Sequence, residues 1–263
     1  MLDETFEIVN DPLTKDHSDF SARSLSVTRA SADVWVLPIR ADRQLVDQLQ
    51  QTLSSDEIAR AVRFRAEEDR DLFIVGRGIL RKILSRYASE PAEKLVFRYG
   101  SKGKPYMRDH SDVQFNLGHS GGFAIYGVGG EELGVDIELI KPSTDWRKIS
   151  QRFFSPQEFE ELKRLDPPQQ LRGFFSCWAR KEAYIKAIGG GIATLAKFCA
   201  GAQPSPGEGA IDEEGKPHEW YFNDLNVGDK HAGAIVTRFD QCRIRLFSFT
   251  SVEDCLRFAE KAK

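Results

Sequence analysis

The sequence has few cysteines and no long apolar run, and each shortage excludes a class of protein. The chain has 263 residues and only four cysteines, and no two of them are separated by just two residues. This spacing indicates neither a disulfide framework nor a zinc site, so we expect reduced cysteines in or near the core. No apolar stretch reaches the roughly 20 residues that a membrane-spanning helix needs.

An excess of charge of either sign is also missing. The 37 Lys and Arg residues nearly balance the 40 Asp and Glu residues, which gives a formal net charge of −3. This balance argues against a protein that coats nucleic acid, although it permits a local basic pocket. Residues 1–20 carry acidic side chains where a signal peptide is basic, and they contain no apolar core segment. We therefore expect a cytoplasmic protein without a membrane anchor.

The helical and strand patterns contain a faint internal repeat. The segment LSSDE (53–57) opens an arginine-rich helical region, and FSPQE (154–158) opens one rich in Lys and Glu. Both segments have the pattern of a capping box. Strand-like segments follow each, and residues 123–128 resemble residues 232–236. The repeat predicts an α+β fold, a pseudo-twofold pair of similar subdomains that each contain a small antiparallel sheet and a long packed helix. An accidental similarity between short capped helices is the alternative.

The repeat also sets the expected domain organisation. Residues 1–32 are polar and aperiodic, which predicts a mobile N-terminal arm. We expect an N-terminal subdomain over residues 33–130 and a C-terminal subdomain, carrying a metal site, over residues 131–263. The segment 203–216, with its Pro, Gly and Glu residues, predicts an exposed loop. The first long helix carries three arginines that are expected mostly to form a solvated face, namely Arg70, Arg77 and Arg81.

The segment 174–191 organises the candidate site. Its sequence, FFSCWARKEAYIKAIGGG, is rich in good helix formers and ends in three glycines, so it predicts one helix with a sharp end. Glu182 and Lys186 are four residues apart and therefore share one helix face. For an isolated pair, a surface ion pair worth about 0.3–0.5 kcal/mol would be the favoured interpretation. Other segments of the chain change that balance.

Two acidic residues lie in the apolar strand pattern GVDIE (134–138). Side chains alternate along a strand, so Asp136 and Glu138 share one face while the apolar residues beside them point to the other. Taken alone, this pattern would indicate a half-exposed strand with acids on its outer face. Together with Glu182, however, the two residues supply the oxygen ligands that a hard divalent cation such as magnesium prefers, with positions left for phosphate oxygens.

Cationic side chains complete the pattern. Lys186, on the same helix face as the third acid, would meet a phosphate held by the metal. His119, Lys102 and Lys104 lie on or beside tight glycine-containing turns and offer further contacts to an anion. The pattern favours a diphosphate bound through magnesium, with chemistry at phosphorus.

Five motifs follow one another along the chain: SKGKP (101–105), FNLGHS (115–120), GVDIE (134–138), FFSPQE (153–158) and WARKEAYIKAIGGG (178–191). This series resembles the ordered motifs of the 4′-phosphopantetheinyl transferases of the large, surfactin-synthetase-activator-like type. The resemblance extends over roughly residues 34–249. It implies the fold of that family, a pseudo-twofold pair of α+β halves with the active site between them, in agreement with the internal repeat.

The resemblance also implies the roles of the acidic residues. Asp136, Glu138 and Glu182 correspond to the magnesium ligands of the family, and Lys186 corresponds to the lysine that contacts the pyrophosphate. Glu182, or a water molecule that it orients, resembles the base that acts on the serine of the carrier protein. We therefore expect Glu182 and Lys186 to be the catalytic residues.

The coenzyme A contacts that the resemblance implies are Arg60, Lys102, Lys104, Gly118, His119 and Lys186. His119 corresponds to a histidine that contacts a phosphate of coenzyme A. Gly118 stands where many family members have serine, which leaves its backbone amide as the contact. Arg60 falls where basic residues meet the 3′-phosphate in some members, and Arg77 is a further candidate.

The implied activity is the magnesium-dependent transfer of 4′-phosphopantetheine from coenzyme A to a serine of an apo acyl or peptidyl carrier protein by a monomeric enzyme. Adenosine 3′,5′-bisphosphate would be released. An inactive relative that binds coenzyme A or a carrier protein is one alternative. A nucleic-acid binder is another, although the sequence lacks the aromatic and basic ribbon of such modules. The segment 155–172, with Lys163 and Arg164, is a candidate face for an acidic carrier protein, while Phe159 and Leu162 within it are expected to be core residues.

Overall fold

The computed structural model describes residues 9–10, 25–201, 208–212 and 217–261. The helices of this part of the chain are α1 (Arg43–Gln50), α2 (Ser55–Ala61), α3 (Glu67–Ala88), α4 (Trp146–Phe153), α5 (Pro156–Arg164), α6 (Pro167–Ile188) and α7 (Val252–Lys261). The strands are β1 (Val9–Asn10), β2 (Ser31–Pro38), β3 (Phe97–Tyr99), β4 (Pro105–Met107), β5 (Gln114–Ser120), β6 (Phe123–Gly129), β7 (Leu133–Leu139), β8 (Phe198–Cys199), β9 (Glu208–Asp212), β10 (Pro217–Leu225), β11 (His231–Thr237) and β12 (Arg243–Ser248). None of these helices combines the length and the apolar character needed to cross a lipid bilayer.

Two five-stranded sheets form the centre of the fold, and they confirm the α+β class. The first sheet has the strand order β1-β12-β2-β6-β5, and the second has the order β7-β11-β10-β9-β8. Neighbouring strands of the second sheet are antiparallel, as expected. The first sheet is mixed instead, because β12 runs parallel to both β1 and β2.

The two sheets face each other and are covered by helices on their outer sides. Alternation along β2 sends Val34 and Val36 to a core that they share with Val135 and Ile137 of β7. The intervening Trp35 and its neighbours on the outer face pack against α1, α3 and α7. On the other side of the molecule, α6 packs against β11 and β10. The result is a four-layer α–β–β–α arrangement. It places β5, at the edge of the first sheet, beside β7, at the edge of the second.

The two halves share one arrangement of helices. In each, a short helix with a capping box precedes a helix of 22 residues, α2 before α3 and α5 before α6. The capping glutamate is buried in both cases and accepts a bond from the long helix, with 2.7 Å between Glu57 Oε2 and Arg81 Nε and 2.7 Å between Glu158 Oε2 and Lys181 Nζ. Arg81 is therefore fully buried and not on a solvated face, and the expectation of a solvated arginine face was wrong for it.

Three further expectations concern the N-terminal arm, a loop and the domain boundary. Most of the predicted arm, residues 1–32, lies outside the described residues, but Leu25 is buried in the first core and β2 already begins at Ser31. The predicted loop over 203–216 contains the strand β9, and its remaining residues lie outside the described part. The proposed boundary near residue 130 falls between β6 and β7.

The last strand of the described chain returns to the first sheet. Arg245 of β12 forms two bonds with the buried Asp33 of β2, with Nε 2.5 Å from Oδ1 and Nη2 2.6 Å from Oδ2. Tyr87 at the end of α3 donates a further hydrogen bond to Asp33, at 2.6 Å. Residues 243–261 thus pack with the half that begins the chain, although they follow the second half in sequence.

Candidate active site

Close contact between β7 and α6 places the central acid of the site. Gly134 lacks a side chain, and a Cβ atom built there would lie only 1.9 Å from the carbonyl oxygen of Ala183. Strand and helix therefore touch along their backbones. Asp136 lies two residues further along the same strand face, and its Oδ1 accepts a hydrogen bond of 2.6 Å from Lys186 Nζ.

Asp136 is buried, and only one of its two oxygens has a partner among the described residues. The residue is 4% exposed, and its second oxygen, Oδ2, is buried without a hydrogen-bond partner in the described part of the chain. Burial raises the pKa of Asp136 to about 7; the charge of Lys186 opposes this shift, while those of Glu138 and Glu182 add to it. A buried carboxylate with a free oxygen and two acidic neighbours is a position that favours a bound cation.

The other two predicted metal ligands share this electrostatic environment. Glu138 Oε2 accepts a hydrogen bond of 2.9 Å from Ser120 Oγ. Ser120 Oγ in turn accepts a hydrogen bond from the backbone N–H of Leu139. Burial raises the pKa of Glu182, while the charge of Lys186 lowers it and that of Glu138 raises it. The structure therefore brings all three carboxylates within electrostatic range of one another.

The three acids have the right chemistry for magnesium, although the ammonium group of Lys186 pairs with one of them. Among the described residues, no three His, Cys, Asp or Glu side chains form a ready metal centre. Lys186 Nζ instead occupies one oxygen of Asp136. The carboxylate donor set and the unpartnered Asp136 Oδ2 fit a hard divalent cation, and Glu138 and Glu182 are the residues that would complete its coordination.

Gly118 gives Lys186 its space. This residue lies on β5, and a Cβ atom built on it would be 2.7 Å from Lys186 Nζ and 3.1 Å from Asp136 Oδ1. The glycine thus lies at the centre of the site, as the sequence predicts. Its contribution there is that it has no side chain, which leaves space for the ion pair of Lys186 and Asp136. A serine at this position would share that room with the ammonium group.

A cavity of about 300 Å³ opens next to this centre, between α3 and the first sheet. Arg60, Arg77, Gly118 and His119 line it together with Asp69 and apolar side chains. Arg77 is only 8% exposed, its Nε lies 3.3 Å from Glu57 Oε1, and its Nη1 has no hydrogen-bond partner in the described residues. Arg77 is therefore not on a solvated face, and its other assignment, as a contact to the 3′-phosphate, stays a prediction. Two arginines against one aspartate in the lining make the cavity suited to an anion.

The two predicted lysines of the β3–β4 turn have different placements. Lys102 is exposed in that turn. Lys104 reaches the end of α6, where its Nζ donates a hydrogen bond of 2.7 Å to the carbonyl oxygen of Ala187. Burial lowers the pKa of Lys104, which the charge of Glu132 partly opposes. Lys104 thus joins the hairpin to the helix that carries the catalytic candidates.

The candidate carrier face has its expected core residues buried or half-buried and its two basic residues exposed. Leu162 is fully buried and Phe159 is half-buried in the same core, as expected for both. Lys163 forms an ion pair of 2.9 Å with Glu160 and lies over the ring of Phe159. Arg164 is exposed at the end of α5.

Sequence reasoning missed the buried ion pair of Glu158 and Lys181. Both residues are fully buried, and Glu158 also accepts hydrogen bonds from the backbone of Ser155 and Ala200. A signal was present, because Lys181 lies at helical spacing from the apolar Phe174 and Cys177. A lysine on an apolar stripe indicates a buried partner, which here is the capping glutamate.

Family models match both halves of the chain. The model described as the 4′-phosphopantetheinyl transferase superfamily matches residues 132–236, and the model described as the 4′-phosphopantetheinyl transferase N-terminal region matches residues 40–128. Among similar proteins, the 4′-phosphopantetheinyl transferase HetI of Nostoc sp. is 40% identical over 176 residues, which cover 65% of this chain and 74% of HetI.

Two further relatives come from Bacillus. The 4′-phosphopantetheinyl transferase psf-1 of Bacillus pumilus is 35% identical over 60% of this chain and 67% of its own length. The 4′-phosphopantetheinyl transferase Sfp of Bacillus subtilis is 31% identical over 53% of this chain and 62% of its own length. The matched regions of the two family models include all the residues of the candidate site.

Proposed function

Because this chain belongs to the 4′-phosphopantetheinyl transferase superfamily, we propose that it transfers 4′-phosphopantetheine from coenzyme A to a serine of an apo acyl or peptidyl carrier protein. The observation that carries the proposal is the buried Asp136, which has one unpartnered oxygen and interacts with the charges of Glu138, Glu182 and Lys186. The released product is adenosine 3′,5′-bisphosphate. We expect the enzyme to act as a cytoplasmic monomer.

The reaction is a displacement at phosphorus. The serine oxygen forms a bond to the β-phosphorus of coenzyme A, and the bond from that phosphorus to the bridging oxygen breaks, so that the bridging oxygen leaves with the nucleotide. Asp136, Glu138 and Glu182 would hold the magnesium ion. When bound, that ion neutralises charge on the diphosphate, which is a major part of catalysis in phosphoryl transfer.

Two side chains of α6 act on the reacting groups. Lys186 contacts the diphosphate and stabilises the negative charge that builds on the leaving oxygen. Glu182 accepts the proton of the carrier serine, directly or through a water molecule that it orients. Its pKa is raised by burial, which makes it a stronger base than an exposed glutamate.

The cavity beside this centre supports the binding of an anionic donor. Arg60 and His119 line it with Arg77, whose guanidinium has an unpartnered nitrogen. We assign Arg60 and His119 to peripheral phosphates of coenzyme A, and the backbone of Gly118 to the diphosphate. We further assign Lys102 and Lys104 to coenzyme A, with Lys104 held at the end of α6 by its hydrogen bond to Ala187.

A transfer assay tests the proposed function. The protein is incubated with coenzyme A, magnesium and a panel of apo acyl and peptidyl carrier proteins, and intact-mass spectrometry measures the gain of phosphopantetheine. We expect at least one carrier protein to be modified, and only with magnesium present. Binding of coenzyme A or of a carrier protein without any gain of mass would identify an inactive relative instead.

His119 and Lys186 are expected to differ in their kinetic effects. Loss of a peripheral phosphate contact in His119→Ala should raise the KM for coenzyme A about tenfold and leave kcat within about threefold. Loss of the charge that meets the leaving oxygen in Lys186→Ala should lower kcat at least about a hundredfold. Steady-state kinetics with varied coenzyme A measure both effects, and the reverse pattern would exchange the two roles.

A further inference from the structure

A short ion pair at the centre of the site conflicts with the roles of its two members. Lys186 Nζ lies 2.6 Å from Asp136 Oδ1, and the side chains are 27% and 6% exposed. In the proposed function, which this inference takes as its basis, Asp136 binds the metal and Lys186 meets the diphosphate. A divalent cation at the unpartnered Oδ2 of Asp136 would lie within a few ångströms of this ammonium group and repel it, so the pair cannot persist unchanged once the metal binds.

The space for this pair depends on one residue. A Cβ atom on Gly118 would lie 2.7 Å from Lys186 Nζ, 3.1 Å from Asp136 Oδ1 and 3.3 Å from a methyl group of Ile125. Asp136 and Ile125 are buried in packed strands and have little room to move, whereas the lysine end is flexible. Any side chain at position 118 would therefore displace the ammonium group first.

We propose that Gly118 is a positioning residue that keeps Lys186 on Asp136 as a displaceable cation in the ligand-free protein. Magnesium takes the place of the ammonium group on Asp136, and the released Lys186 turns to the diphosphate that arrives with the metal. The ion pair thus neutralises a buried carboxylate until the metal binds, and metal binding makes the lysine available for its role in transfer.

Lysine acylation tests this displacement without any turnover. The full chain is treated with a limiting amine-reactive ester, with and without magnesium at matched ionic strength and without coenzyme A, and peptide mass spectrometry measures modification of Lys186. An amine held in a short ion pair reacts slowly, so magnesium should raise the Lys186 rate by about fivefold or more. An unchanged or lower rate overturns the proposal, because the metal then leaves the pair intact.

Two controls separate displacement from a general loosening of the fold. Lys181 lies on the same helix, is fully buried, and pairs with Glu158 and not with a predicted metal ligand, so its slow acylation should not respond to magnesium. Gly76→Ala serves as the matched glycine variant, because its Cβ would have an ordinary contact of 3.8 Å with Tyr126. This variant should show the wild-type response at Lys186, and a faster reaction at Lys181 with magnesium would contradict local displacement.

Gly118→Ala gives the second half of the test. We expect Lys186 in this variant to react as fast without magnesium as the wild type does with it, and magnesium to add little. Wild-type rates in Gly118→Ala overturn the role of the glycine. If that variant does not fold, the wild-type response to magnesium still decides the displacement. If the protein transfers phosphopantetheine but magnesium does not change the acylation rate of Lys186, only this inference is refuted. If the protein does not transfer phosphopantetheine, the proposed function is refuted whatever the acylation rates are.

Discussion

Asp136→Asn is expected to lower the transfer rate by roughly 10³-fold and, at pH 8, to make the protein more stable. The loss of activity follows because the amide removes the central negative oxygen of the candidate metal site. The gain in stability follows because the wild-type carboxylate is buried with two acidic neighbours. Its pKa, raised from 3.8 to about 7, corresponds to a penalty on the order of 4 kcal/mol when the group is ionised in the folded protein.

The pH dependence gives this prediction its sign. Folded protein holds the Asp136 proton between about pH 4 and pH 7, where the unfolded chain has lost it, so wild-type stability falls as the pH rises through that window. The asparagine variant does not have this loss. Its advantage should therefore grow from about pH 4 to pH 7 and then stay constant, at about 1–3 kcal/mol once the lost bond to Lys186 is included.

Thermal or urea unfolding at several pH values, combined with the transfer assay, measures both effects. Circular dichroism confirms that the variant is folded before its activity is compared. Wild-type turnover in Asp136→Asn would remove Asp136 from the metal site. A variant that loses stability equally at every pH would show that the carboxylate stabilises the fold, and that its ionised form does not destabilise the folded protein.

Lys181→Met is expected to lower the free energy of unfolding by about 3–5 kcal/mol, because it leaves the Glu158 charge buried without its cation. The lysine ammonium lies 2.7 Å from Glu158 Oε2 and donates another bond of 2.7 Å to the carbonyl oxygen of Phe198. Glu158 in turn accepts a bond from the backbone of Ala200. One substitution thus disturbs the start of α5, the core face of α6 and the strand beside it.

Urea unfolding of three variants tests this prediction. Lys163→Met removes an exposed lysine that pairs with Glu160 and should change the stability by less than about 0.5 kcal/mol. The double variant with Glu158→Gln and Lys181→Met should recover part of the loss, since no unpaired charge remains. A loss in Lys181→Met no larger than that in Lys163→Met would mean that the buried pair contributes no stability.

Local features of the sequence predicted much of this structure. The capping boxes at Ser54 and Ser155 and the left-handed Gly189 that ends α6 depend only on neighbouring residues, and all three are found as predicted. The face shared by Asp136 and Glu138 follows from strand alternation. The sequence therefore predicted the elements that carry the candidate site, along with the α+β class.

What the sequence did not reveal depends on contacts between distant residues. The pair of Lys186 with Asp136 spans 50 positions, and no local pattern predicts it. The same holds for Lys104, whose bond to Ala187 is visible only once the hairpin is placed on α6. Arg77 and Arg81 have the spacing of a helix surface, but both are buried and pair with Glu57 of the preceding helix.

The return of β12 to the first sheet has a consequence for how the protein is made. A ribosome releases the chain from its N-terminus, so β2 emerges long before residues 243–248, the strand that pairs along its side through the contact of Arg245 with Asp33. Until then β2 has one open edge, which is a template for pairing with other chains. The first sheet thus cannot be completed until the second half of the chain has been synthesised. Pairing of segments that are so far apart in sequence is also slow. The nascent chain therefore passes through an extended period in which it depends on protection from aggregation, and a premature stop before residue 243 leaves unfinished the half that was made first.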